Sequence, residues 1–427
     1  MSAARRICLG LLARMPHGEL TFVERGRTVT VGNGEPRAAV HIHTERAWRA
    51  LLRGSRGLAE AYADGWWDAD DLAAVIRVAA RNAPVLDSWR RRAAPARLPI
   101  QALRGIRRAN SRARSRRDIA AHYDLGDDLF GLMLDETMMY SAAYFPSAGA
   151  SLLDASRAKL ELACEKLSLG PGDHVLEIGT GWGGFAVYAA ATRGCRITTT
   201  TISSAQYEHA RRRVARAGLQ DLIKVVRHDY RDMRGRYDKL VSIEMVEAVG
   251  WRSFAKFFAR CSDLLRPDGA MLLQSIVIDD RAYEVEKASA SFIRSHIFPG
   301  GSLPSVEIIA RCLALHTDLR IADLHELTPH YAETLRRWRA NVERADGQLH
   351  RLGYDEGFRR LWRLYLAYCE AGFDEGRIGV VQMLLGKPRW RPSIAATPSR
   401  QVGDGPGATT DPEQPAEPVG AVGDLLG

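Results

Sequence analysis

Two residue types in this chain could do chemistry at short spacing: a carboxylate set inside a strand-forming run, and glycines at every second position just after it. Both fall in His174-Val-Leu-Glu-Ile-Gly-Thr-Gly-Trp-Gly-Gly184. Val175, Leu176 and Ile178 read as a strand buried on both faces, and Phe185 to Ala191 reads as a helix. Between them Gly179, Gly181 and Gly183, with Thr180 and Trp182 interleaved, form a sharp turn that lets backbone approach a ligand. A dinucleotide site needs Gly-x-Gly-x-x-Gly and an acid about 20 residues on for the ribose. Here the spacing differs, and the second strand, Arg196 to Thr201, ends in threonines. The acid, Glu177, lies inside the first strand instead. A carboxylate there repels a pyrophosphate and attracts a cation. That favours the sulfonium cofactor S-adenosylmethionine, and a methyltransferase over a dehydrogenase.

Such a turn has to be held by a sheet. Strands are expected at Val175 to Ile178, Ile197 to Thr201, Ile223 to Arg227, Lys239 to Ile243, Met271 to Ile278 and Ile378 to Leu385, with helical stretches between them. This alternation predicts an α/β fold of the class I S-adenosylmethionine-dependent methyltransferase kind: Rossmann-like, a mostly parallel sheet with helices on both faces. Long helices are expected from His330 to Glu343 and from Tyr354 to Gly372. An insertion from Asp279 to about Asp318 contains Phe298-Pro-Gly-Gly-Ser-Leu-Pro304, read as a rigid turn. Residues 1–90 read as a small N-terminal α+β domain, with a hairpin over Leu20 to Val31 and a core of its own around Trp48, Trp66 and Trp67. Residues 91–117 read as a linker, 118–391 as the catalytic domain and 392–427 as a disordered tail rich in Pro, Gly, Ala and Thr.

Length and composition are those of a globular protein with room for a full α/β domain and a smaller one. Cys8, Cys164, Cys195, Cys261, Cys312 and Cys369 show no Cys-x-x-Cys pairing, so no metal site or disulfide framework is expected and a cytoplasmic setting fits. Arg14 interrupts the apolar start, which argues against a signal peptide. No window approaches the roughly 18 apolar residues of a membrane span. The net charge of +9 is unevenly placed: eleven arginines and no acid lie between Arg90 and Arg117. A solvated linker explains them, and so does attraction to a polyanion. Without interleaved aromatics, nucleic acid is disfavoured as partner. An anionic membrane surface uses the same electrostatics.

From about Ala121 to Pro388 the sequence resembles the cyclopropane-fatty-acyl-phospholipid synthase family, which includes mycolic acid cyclopropane synthases and enzymes that C-methylate unsaturated acyl chains. The motifs occur in order: His122-Tyr-Asp-Leu-Gly-Asp-Asp128, Met139-Tyr-Ser-Ala-Ala-Tyr-Phe145, the glycine turn, Thr201-Ile-Ser-Ser-Ala-Gln206, Ser242-Ile-Glu-Met-Val-Glu-Ala-Val-Gly250, Ile297 to Pro304, and Pro329-His-Tyr-Ala-Glu-Thr-Leu335. The first 90 residues resemble the extra domain of members that act on phospholipids. The resemblance implies a cofactor site from Tyr140 and Ser141, from Val175 through Gly183, from Thr201, Ile202, Ser203 and Gln206, and from Tyr230 and Arg231. Glu177 would pair with the cofactor ammonium, Gln206 would reach the ribose and Tyr230 would flank the adenine.

The implied reaction adds the sulfonium methyl to an alkene in a dry tunnel, leaving a carbocation that aromatic faces can stabilise. A base then removes a proton to close a cyclopropane, or does so after a hydride shift to give a methylene branch. In the family that base is commonly a bicarbonate held by a Cys, a Glu, a His, a backbone group and a Tyr. Here Ala142 replaces the Cys and Gln274 the His, while Glu247, Ile276 and Tyr331 match. Cys369 matches a cysteine often counted in the active site and is expected to line the acyl tunnel rather than act as nucleophile. The expected product is the cyclopropane, with the methylene-branched chain as the alternative. The expected partners are an unsaturated phospholipid and the anionic inner face of the membrane, and the oligomeric state stays open, a homodimer included. Two rivals are a catalytically silent lipid-binding relative and a nucleic acid methyltransferase; the latter lacks an Asn/Asp-Pro-Pro-Tyr or Pro-Cys motif here.

Overall fold

The computed structural model describes residues 2–93, 126–289 and 291–392. The arginine-rich linker beyond residue 93, the segment His122 to Leu125 and the C-terminal tail lie outside them.

A seven-stranded sheet has the order β10-β11-β9-β8-β5-β6-β7, with β5 His174–Ile178, β6 Arg196–Thr200, β7 Ile223–Val226, β8 Tyr237–Ile243, β9 Leu265–Ile278, β10 Arg320–Glu326 and β11 Ile378–Gly386. The five strands β5 to β9 pair parallel, and β11 runs antiparallel to both β9 and β10. Helices cover both faces, so the central strands are apolar along their whole length, as in β5, where Val175 and Leu176 are fully buried on opposite sides. β10 was not expected from the sequence. It is an edge strand whose residues are almost all exposed, so neither face carries an apolar stripe.

Residues 18–69 form a second sheet, order β2-β1-β3-β4, from β1 Gly18–Glu24, β2 Arg27–Asn33, β3 Arg37–Ile42 and β4 Trp67–Ala69. The expected hairpin is β1–β2, closed by Arg25 and Gly26, both at positive φ, the signature of a two-residue hairpin turn. The sequence pointed to a separate N-terminal core. In the structure Trp48 and Trp67 belong to one buried cluster that also holds Trp338, Trp362, Leu364 and Tyr365 of the helices Thr328–Arg344 and Glu356–Asp374. Polar ties reinforce that packing. Arg360 donates to the carbonyls of Tyr62 and Trp67 and pairs with Asp68, while Arg77 and Arg81 both pair with Glu375.

Candidate active site

A cavity of about 1730 Å³ begins at the glycine turn beyond the carboxyl ends of β5 and β8 and reaches the N-terminal segment at Cys8, Leu12, Leu51 and Leu58. This is where an α/β sheet places its ligands. At the turn, Gly179 (φ 102°) lies where a Cβ would come within 3.1 Å of the Met245 side chain, and Gly181 (φ 50°) is also left-handed. Only glycine makes that close approach without strain.

Of the residues expected at the site, Tyr140, Ser141, Glu177, Ile178, Gly179, Thr180, Gly181, Trp182, Thr201, Ile202, Gln206, Tyr230, Arg231, Glu247, Ile276, Tyr331 and Cys369 line this cavity. Five others stand one layer behind it. Val175 and Leu176 are core residues of β5, and Gly183 packs on Ala210. Ser203 caps the helix Ser204–Arg216 by accepting from the Gln206 N–H. Gln274 is fully buried in β9.

The cofactor end is polar and tightly held. Glu177 Oε2 is buried without a hydrogen-bond partner, and burial, only partly opposed by the Thr199 hydrogen bond and Lys159, pushes its carboxyl up to about 8. An orphaned buried oxygen beside a glycine turn fits a cationic amino acid end. Thr201 donates to Gln206 Oε1 at 2.8 Å, leaving the Gln206 amide hydrogens for a ligand. The Arg231 guanidinium is locked on Asp229, which caps the turn Tyr230–Asp232. Lys159, fully buried, donates to Ser141 Oγ at 2.8 Å, and burial lowers its ammonium to about 8.

The other end is aromatic and acidic. Tyr140 and Tyr365 share a 2.6 Å hydroxyl contact, Phe298 meets Tyr365 edge-on at 6.1 Å, and Tyr331 stacks on Phe373 at 4.5 Å. Cys369 sits in this wall with its thiol pushed up to about 12 by burial, which leaves it inert as a nucleophile.

Glu244, which the sequence reading quoted but gave no role, is the centre of this end. Its Oε1 accepts from the Ala142 N–H (2.9 Å) and from Gln274 Nε2 (2.8 Å), and its Oε2 accepts from the Tyr331 hydroxyl (2.7 Å). The backbone there is left-handed, φ 50°, a costly conformation for a non-glycine residue that turns the side chain off the end of β8. Glu247, one turn on, accepts from the Ile276 N–H (2.6 Å) and Ser275 Oγ (2.9 Å) on Oε1, while its Oε2 has no partner. Burial first, and the Glu244 charge second, raise Glu247 to about 8. Burial also raises Glu244, against its three hydrogen bonds. Both carboxyls face the cavity rather than bulk solvent, so side chains that are partly open are still strongly desolvated. Three donors aim at Glu244, and one oxygen of Glu247 is bare. Of the two coupled carboxyls, Glu244 is therefore the better held as the anion, and Glu247 is the one that keeps a proton more readily.

This arrangement does not suit a separate bicarbonate. Gln274, Ile276 and Tyr331, which the resemblance assigns to such an anion, already donate to Glu244 and Glu247, as does the Ala142 N–H. Among the described residues no cluster of His, Cys, Asp or Glu could hold a metal ion, and no helix is long and apolar enough to cross a membrane.

The fold and the cofactor end define an S-adenosylmethionine-dependent methyltransferase. The mycolic acid cyclopropane synthetase family model matches residues 110–383, and the chain belongs to that family. It is 40% identical over 400 residues to the tuberculostearic acid methyltransferase UfaA1 of Mycobacterium tuberculosis, covering 90% of this chain and 92% of the relative. It is 34% identical over 365 residues to the cyclopropane-fatty-acyl-phospholipid synthase of Escherichia coli, covering 83% and 89%. The solved mycolic acid cyclopropane synthase CmaA1, complexed with SAH and CTAB, superposes with a TM-score of 0.60 at 32% identity, over 64% of this chain and 98% of that one. The protein is thus an enzyme that modifies lipid chains with S-adenosylmethionine.

Proposed function

We propose that this enzyme adds the methyl carbon of S-adenosylmethionine to the double bond of an unsaturated fatty acyl chain carried on a phospholipid, and releases a methylene-branched chain. The observation that carries the product is the Glu244 carboxylate, set by three donors in the middle of the aromatic end of the cavity. The cofactor supplies an electrophilic methyl on a sulfonium. As the π electrons bond to that carbon, the carbon–sulfur electrons leave with sulfur, and the neighbouring chain carbon becomes a cation. Tyr140, Phe298 and Tyr365 offer it aromatic faces and keep water away.

Glu244 then takes a proton from the added methyl. A carboxylate offers about four lone-pair sites, and three are spent on Ala142, Gln274 and Tyr331, which weakens it as a base. Slow proton loss gives the hydride on the methyl-bearing carbon time to shift to the cation. Removal of a methyl proton then leaves its electrons as an exocyclic double bond. Similarity to the tuberculostearic acid methyltransferase over nearly the whole chain supports a methyl-transfer product over ring closure. The cyclopropane expected from the sequence is the second reading, favoured by similarity to the E. coli synthase, and it follows if the proton leaves before the shift.

An intact phospholipid fits a cavity that continues past the cofactor end into the N-terminal segment, well above the roughly 300–1,000 Å³ of a small-ligand pocket. The enzyme would meet it at the cytoplasmic face of the membrane, with the arginine-rich linker drawn to anionic headgroups. The test is incubation of purified protein with S-adenosylmethionine and dioleoyl-phosphatidylglycerol vesicles, followed by mass spectrometry and proton NMR of the acyl esters. Olefinic exocyclic methylene protons are expected. Upfield ring protons alone would replace the branched product with the ring, and unaltered oleate would refute both.

A further inference from the structure

We propose that Gln382 is a positioning residue of this site: from across the β9–β11 pairing it holds the Gln274 amide in the one orientation that donates to the Glu244 carboxylate. The inference rests on the reading of Glu244 as the base.

Gln382 is a polar residue in the apolar run of β11, fully buried and paired in register with Gln274 of β9. A buried amide in such a strand is costly unless its groups are used; here the nitrogen has a partner while Oε1 has none, so the one bond to Gln274 is what the amide contributes. The Gln274 amide nitrogen faces two acceptors, Glu244 Oε1 at 2.8 Å and the Ala142 carbonyl at 3.4 Å. Turned over, the same amide would press a carbonyl oxygen against the Glu244 carboxylate and leave Ala142 without that donor. What selects the correct face is the partner of its oxygen. Gln382 Nε2 donates to Gln274 Oε1 at 3.3 Å, from the strand that flanks β9 on the side opposite β8. Gln382 does not line the cavity and so touches neither cofactor nor substrate. Its effect on the reaction has to pass through Gln274.

Two substitutions separate positioning from packing. Gln382→Leu keeps the bulk and removes the donor. Gln382→Glu keeps the shape and donates only while protonated; once ionised it faces the Gln274 oxygen with negative charge and favours the flipped amide. With dioleoyl-phosphatidylglycerol vesicles, Q382L should lower kcat by about ten-fold, within the hundred-fold that an ångström of misplacement can cost. KM for the lipid and calorimetric affinity for S-adenosylhomocysteine should stay at their original values. Q382E should approach parent turnover at low pH and lose it as pH rises, a falling limb absent from the parent and from Q382L. A purely structural role would lower cofactor affinity in both variants and give no new limb. Glu244→Gln is measured alongside. If E244Q is inactive while Q382L and Q382E turn over like the parent at every pH, the positioning role is refuted and the base reading stands. If E244Q is fully active, the base reading falls and the role of Gln382 falls with it.

Discussion

Replacing Glu244 by glycine is the most direct perturbation of the chemistry. Three effects can be sized. The left-handed backbone at φ 50° costs a non-glycine residue of order 1–3 kcal/mol, and glycine releases that strain. The Ala142 N–H, the Gln274 amide and the Tyr331 hydroxyl lose their acceptor, at about 1–3 kcal/mol each if nothing replaces it. The strain relief is smaller than the sum of those losses, so the emptied site binds an anion or water. Loss of a positioned base lowers turnover by about 10²–10⁴-fold, about 2.7–5.5 kcal/mol of barrier. The substitution leaves a carboxylate-sized space ringed by three donors, so bicarbonate or formate should restore turnover in a saturable way. Glu244→Gln fills that space and should not be rescued. The assay is conversion of oleoyl phospholipid vesicles in carbonate-free buffer, with and without added anion, after calorimetry has shown that S-adenosylhomocysteine still binds. An E244G enzyme as fast as the parent without any anion refutes the assignment of the base. A slow one that no small carboxylate accelerates refutes the description of the three donors as an anion site.

Other outcomes follow from the same geometry. Glu177 is raised to about 8 by burial and faces the expected ammonium of the cofactor, so binding ionises it. Near pH 7, S-adenosylhomocysteine binding should release a proton and tighten as pH rises toward 8; calorimetric heats that do not depend on the buffer's ionisation enthalpy would contradict this. Cys369, with its thiol at about 12, should resist iodoacetamide at pH 8 in the folded protein, and Cys369→Ala should keep turnover within a few-fold. Glu375→Ala leaves Arg77 and Arg81 without their shared carboxylate. Because both arginines are over a third exposed or close to it, the loss is expected at the low end of about 1–3 kcal/mol, read as a lower urea midpoint.

The parts of the structure legible in the sequence were those written in consecutive residues. β5 and its turn carry an apolar run, interrupted only by Glu177 and ending in glycines, a pattern that physical constraint ties to one fold and one position in it. β10 shows the reverse: a strand at the sheet edge with neither face covered has no periodicity to read. Glu244 was hidden for a different reason. Its donors come from residues 142, 274 and 331, and nothing local announces that they meet. A signal did exist, in two acids three residues apart at the carboxyl end of a central strand, where such folds keep their chemistry. Gln382 carried a plainer one, a lone amide inside Val380-Val381-Gln382-Met383-Leu384, which a buried strand tolerates only when the amide is put to use.

The helix Glu356–Asp374 has two sides with different owners. One side supplies Tyr365 and Cys369 to the cavity wall, and Arg360, on another, donates to the carbonyls of Tyr62 and Trp67 in the first 81 residues. Relatives such as CmaA1 align with only 64% of this chain. A shortened version cut to their length would therefore lay bare a greasy flank of this helix and clump, unless that flank were repainted with charge. Trading amino-terminal pieces among members of the family is thus a problem of re-tailoring one helix, and the seam to be cut runs through the wall of the reaction chamber itself.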